Sequence, residues 1–120
     1  MKILCLCLII LVSFNAQSEE LLGPLQTGWK GQKVCEKLSE NAFQNILRCT
    51  FPPGIGHEKH HHKANFGYAL SGGKVQIKDK KGTRIVELAN DSYFNSAGTE
   101  WHEILNVGES TIVYIILESK

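Results

Sequence analysis

The sequence predicts an all-β fold: an antiparallel β-barrel or jelly roll, the double-stranded β-helix, of about eight strands. Three observations carry this. From residue 33 onward apolar and polar residues alternate in short runs, which places successive side chains on opposite faces of a sheet. Clusters of glycine, proline, asparagine and aspartate separate these runs at the spacing of a sandwich or barrel. No segment sustains three helical turns, although "CEKLSENAFQNIL" has some helical character. Residues 33–120 are assigned to the barrel, 19–32 to an irregular arm and 1–18 to a leader.

The leader reads "MKILCLCLIILVSFNAQS". Lys2 supplies a basic start, Ile3 to Phe14 an apolar run, and Ala16 and Ser18 the small residues of a cleavage site. The run is short for a membrane span and fits a signal peptide cut before Glu19, or alternatively after Ala16. A retained anchor is the competing reading. Cys5 and Cys7 lie too early in the run for a lipoprotein signal. The expected location is periplasmic or secreted, with no stable membrane span after processing and an oxidising environment.

The arm, "EELLGPLQTGWKGQ", is rich in glycine and carries a proline. "KVCEKL" and "NILRCTF" then read as two strands around a turn at Ser39–Gln44. Antiparallel pairing about residue 42 opposes Cys35 to Cys49, Glu36 to Arg48 and Leu38 to Ile46. That register permits a Cys35–Cys49 disulfide; two buried free thiols are the alternative. "FPPG" ends the second strand, because Pro52 and Pro53 cannot donate to a ladder. "FGYALSG" is the next strand, with Phe66, Tyr68 and Leu70 on one face. "GKVQIKD" and "TRIVEL" flank the loop "DKKG" as a hairpin. "NDSYFNSAG" reads as a polar connection, "TEWHEILNV" as a strand, and "TIVYIILE" as a strand buried on both faces. The interior is expected to draw on Phe51, Tyr68, Leu70, Val75, Ile77, Phe94, Ile104, Val113 and Ile115. The apolar excess of the last strand also suggests a homodimer.

Charge excludes some partners. Thirteen Lys and Arg face twelve Asp and Glu, and loss of Lys2 with the leader balances them. A neutral chain has no electrostatic reason to bind nucleic acid. There is no Ser–His nucleophile pattern and no phosphate-cradling glycine loop, and no side chain stands out as a catalytic acid or base.

Four of the five histidines lie between residues 57 and 62. In a strand, His60 and His62 share a face while His61 points away. Two imidazoles so spaced can reach one metal ion, and His102, within a later strand, is the candidate third ligand. Taken alone, His102 reads as a satisfied core residue sooner than as a ligand, and a solvated polar loop is the competing reading of the cluster.

"PPGIGHEKHHHKANFGYALSGGKVQI" and "LANDSYFNSAGTEWHEILNVG" resemble the two motifs of the cupins, small β-barrel proteins. Gly54, His60 and His62 match the glycine and His-x-His of the first motif; Gly98, His102 and Asn106 match the second. The chain departs from the pattern in four places. Asn90 and Ser96 stand at a glycine and a proline, and Trp101 is one residue extra between Gly98 and His102. The motif's glutamate ligand is missing, its place falling on Asn65 or Phe66. The resemblance implies a three-histidine site, His60, His62 and His102, for a divalent transition metal: iron, zinc, nickel, copper or manganese. Asn65 and His57 would be extra ligands or groups that support the ligands from behind, and Phe66, Tyr68 and Trp101 pocket lining. The function implied is a metal-dependent enzyme, dioxygenase- or isomerase-like, on a small molecule. An anionic one is favoured, because loss of the carboxylate leaves the site more positive. The alternatives are a non-catalytic cupin that binds a small ligand or metal, and a purely structural barrel.

Overall fold

The computed structural model describes residues 9–13 and 20–120. The leader read at 1–18, with its cleavage site, lies outside the described residues apart from that short piece. Among the described residues there are eleven strands and no helix, hence no helix long and apolar enough to cross a membrane. They are β1 (Gly28–Trp29), β2 (Gln32–Lys33), β3 (Cys35–Glu40), β4 (Gln44–Phe51), β5 (Gly56–His62), β6 (Asn65–Ser71), β7 (Gly73–Asp79), β8 (Gly82–Leu88), β9 (Tyr93–Ser96), β10 (Thr99–Asn106) and β11 (Ile112–Ser119).

Two antiparallel sheets contain the fold, in the orders β5-β10-β7-β8 and β3-β4-β11-β6-β9. From β4 onward the chain changes sheet at every step except the β7–β8 hairpin, which is the winding of a double-stranded β-helix. No ladder joins the two sheets among the described residues, so the barrel is not closed by hydrogen bonds. Between them lie Leu47, Cys49, Phe51, Val75, Ile112 and Ile116, all buried.

Four sequence expectations are corrected. The arm is not wholly irregular: β1 and β2 pair as a small hairpin. The polar connection after β8 contains β9, which pairs with β6. In the β3–β4 hairpin Cys35 faces Cys49 and Glu36 faces Arg48, but the register shifts between Lys37 and Ser39. Leu38 falls in that shift and is 48% exposed instead of opposing Ile46. The turn is closed by the Asn41 side-chain oxygen, which accepts from the Phe43 and Gln44 amides.

The fourth correction concerns side-chain direction. On β6 the buried face is Asn65, Gly67 and Ala69, so Phe66, Tyr68 and Leu70 point outward. The Phe94 ring of neighbouring β9 lies across Gly67, where a Cβ would collide with it. The inner face of β6 therefore has no room for a large side chain. On β11 the inward residues are Ile112, Tyr114 and Ile116, not Val113 and Ile115.

Cys35 and Cys49 form a disulfide between buried, directly opposed positions 14 residues apart. Reduction, or Cys35→Ser with Cys49→Ser, is expected to lower unfolding free energy by about 3 kcal/mol, the chain-entropy value for such a loop. A denaturation midpoint unchanged by reductant would show that the bridge contributes nothing.

Candidate metal centre

The site is assembled by the pairing of β5 with β10, in which His102 stands opposite His60 and Thr99 opposite His62. Two register shifts tune this pairing. Between Thr99/His62 and His102/His60, β10 holds one residue more than β5. This bulge takes up the extra Trp101 that departs from the cupin motif and leaves His102 pointing inward. Gly98 makes the entry possible: its φ is +124°, and a Cβ there would sit 3.2 Å from the His62 carbonyl oxygen. Asn106, the other matched residue, is structural: its amide donates to the Phe51 and Ser110 carbonyls.

The second shift lies between His60 and Ile104, where β5 carries the extra residue. It reverses the alternation of sides, so His57 joins His60 and His62 on the inner face. His57 is 2% exposed rather than solvated. Its Nε2–H donates to the Thr27 carbonyl at 2.9 Å, and its ring stacks on His60 with centroids 3.7 Å apart. It supports His60 from behind.

The ring nitrogens of His60, His62 and His102 lie within 4.8 Å of one another. His60 Nε2 is 3.0 Å from His62 Nε2 and 3.0 Å from His102 Nε2. The Glu58 carbonyl can only accept, so His60 Nδ1, 2.6 Å away, carries that ring's proton. His62 Nδ1 donates to the Glu118 carboxylate at 3.0 Å. In their neutral forms both rings therefore present bare Nε2 lone pairs to each other across 3.0 Å. Two nitrogens bound to one ion at ~2.0–2.1 Å lie about 3 Å apart, so this donor set fits a shared metal ion and is otherwise repulsive.

The electrostatics agree. Burial pushes the His60 imidazole down to about 2, helped by the His57 and His102 rings. Burial likewise holds His102 at about 3 and His57 at about 4. Neutral imidazole is the form a metal binds.

Glu118 is a component that sequence reasoning missed. It is 7% exposed, and one of its oxygens accepts from both His62 Nδ1 and the Lys63 amide. The carboxylate missing from the motif's own position has a counterpart on β11, behind the His62 ring, where it fixes the tautomer of His62. One signal was available: Glu118 continues the inward series Ile112, Tyr114, Ile116 by steps of two. Glu118→Gln should weaken metal affinity by about 10- to 100-fold, the usual cost of losing such a partner. Competition against a chromophoric chelator measures it, and an unchanged constant would assign Glu118 to folding alone.

A cavity of about 340 Å³ opens onto the cluster. Asn65 lines it, with its amide donating to the Lys63 carbonyl. The three aromatic residues expected there lie elsewhere. Phe66 stacks on Tyr93, Tyr68 donates to Asp91, and Trp101, at the β10 bulge, lies under the Lys59 ammonium. The aromatic lining comes instead from Phe51, Phe94 and Tyr114. His61 is half-buried and approaches the arm, its amide donating to the Leu22 carbonyl.

Several solved structures share this architecture. A cupin domain from Bordetella pertussis superposes with a TM-score of 0.67 at 15% identity, over 86% of this chain and 99% of that one. A double-stranded β-helix protein from Klebsiella pneumoniae gives 0.57 at 12% identity, over 75% and 78%. A cupin superfamily protein from Desulfitobacterium hafniense gives 0.56 at 13%, over 71% and 74%. No family model and no curated protein matches the sequence. The chain has the cupin fold, with a three-histidine cluster on the wall of its interior cavity.

Proposed function

We propose that this chain holds one divalent transition metal on the Nε2 atoms of His60, His62 and His102. We further propose that it acts as a metal-dependent enzyme, dioxygenase- or isomerase-like, on a small anionic molecule. The observation behind this is the pair of bare Nε2 lone pairs held 3.0 Å apart by hydrogen bonds on the opposite side of each ring. A bound metal would supply Lewis acidity and open coordination positions for a small ligand. The chain's own residues orient the rings: the Glu58 carbonyl fixes His60, Glu118 fixes His62, and His57 stacks against His60. Val75, Ile77, Ile104 and Ile116 give the cavity beside the rings an apolar wall. The same reading exports the protein, with a leader at residues 1–18, to the periplasm or beyond, and the disulfide is consistent with an oxidising compartment.

A second reading, a non-catalytic binder of a small ligand or metal, is favoured by one observation. The proton-carrying groups on the cavity wall are committed: His57 to Thr27, Asp79 to Arg84, and Tyr114 is pushed up by burial to about 12. Metal analysis of the refolded, dialysed protein should find about one ion per chain. Oxygen uptake and product analysis with small carboxylic acids then separate enzyme from binder. A chain that retains no ion removes the metal from both readings.

A further inference from the structure

We propose that Arg84 anchors the acidic group of the ligand, and that the ligand is a small monocarboxylate with an apolar body. This deepens the reading above, and rests on it only at the histidine end of the cavity.

Arg84 lies on β8, the edge strand, opposite Ile77 of β7. Both residues line the cavity that holds His102. Arg84 stands two residues before Val86 and four before Leu88, which pack against the core, so it belongs to the inward face of its strand. An arginine on that face can lay its stem over apolar surface and keep its guanidinium at the rim of the cavity. Its side chain is 47% exposed, and its one protein hydrogen bond runs from Nη1 to Asp79 Oδ2 at 2.9 Å. A guanidinium has five N–H donors. Most of the fork is therefore free, while Asp79 fixes its orientation. Asp79 is itself held, its other oxygen accepting from the Lys81 amide. Arg84 is the sole permanent cation on the cavity wall among the described residues.

The remaining wall selects the rest of the ligand. Val75, Ile77, Phe94, Ile104 and Ile116 contribute apolar surface. A polyol or sugar would leave hydroxyls unpaired against these side chains, which is unfavourable. A planar carboxylate matches the free donors of the guanidinium fork; Asp79 already balances the charge of Arg84, so recognition there rests on the fork's charge-assisted hydrogen bonds. At about 340 Å³ the space lies at the small end of ligand sites, enough for a compact aromatic or branched body.

Benzoate and its neutral isostere benzamide test this. Titrations of the metal-free and the zinc-loaded protein, followed by NMR shifts of Ile77 and Ile104, give both affinities. Zinc affinity is measured separately. Benzoate should bind saturably at millimolar concentration or below, and benzamide about tenfold more weakly or less. Arg84→Gln should weaken benzoate by about ten- to a hundredfold while leaving zinc affinity unchanged. Arg84→Lys, which keeps the charge and loses the fork, should recover only part of it. Equal binding of benzamide, no saturable benzoate binding, or an unaltered benzoate constant in Arg84→Gln would reduce Arg84 to the partner of Asp79 and overturn the proposal. Benzoate binding retained in a protein that takes up no zinc supports the anchor and removes the metal reading alone.

Discussion

His102→Ala is expected to abolish tight metal binding, while His61→Ala leaves it intact. The three Nε2 atoms converge from two strands, and His102 is the sole contribution of β10 to the cluster. Removing it leaves His60 and His62 as an isolated pair. The loss should exceed the ten- to hundredfold expected for an outer partner such as Glu118. His61 is next to both His60 and His62 in sequence yet points to the opposite side of β5, toward the arm. Its removal deletes one imidazole from the histidine run without touching the cluster. The pair of variants therefore separates a built site from a histidine-rich surface that binds metal by composition. Equal weakening in the two, measured by chelator competition with zinc or nickel, would sink the proposed site.

The facing of His60 and His62 away from His61 is legible in the sequence, because the two are two residues apart in an uninterrupted stretch of strand. Legibility ended where the alternation broke. His57 is three residues from His60 and should face away, yet the extra residue on β5 restores it to the inner side. Nothing in "GHEKHHH" marks a bulge. The faces of β6 and β11 were misread for a different reason. On β11 both faces are apolar, so composition cannot choose between Ile112, Tyr114, Ile116 and Val113, Ile115, Leu117. On β6 the larger side chains looked like core, but Phe94 from β9 fills the space over Gly67. That inward face depends on a strand 25 or more residues away that had itself been read as a loop. Glu118 was missed along with the face of β11: taking Val113 and Ile115 as inward puts Glu118 on the outer face by parity.

The second large effect is on acid stability. Metal-free protein should unfold cooperatively as pH falls from about 6 to 4, taking up close to three protons. Burial lowers His57 to about 4, His60 to about 2 and His102 to about 3. In the unfolded chain all three titrate near ~6.5. Below that pH the unfolded state binds protons that the folded state refuses, so stability is full above ~6.5 and is lost as pH falls toward the folded values. Each group removes about 1.4 kcal/mol per pH unit over this window, and three together about 4 kcal/mol. A total stability of ~5–15 kcal/mol is then exhausted within a few pH units. His57→Phe isolates one contribution: an aromatic ring can still stack on His60, but one titrating group is gone. The variant loses the bond to the Thr27 carbonyl and so starts less stable. Its dependence on pH should nevertheless be shallower by about a third. Saturating zinc opposes acid unfolding only while the imidazoles stay neutral, so its protection should itself fade as pH drops. Denaturant unfolding at a series of pH values, with and without zinc, measures all of these slopes. A flat profile between pH 6.5 and 4 would mean that the histidines are solvated, and that their clustering neither excludes protons nor prepares a metal site.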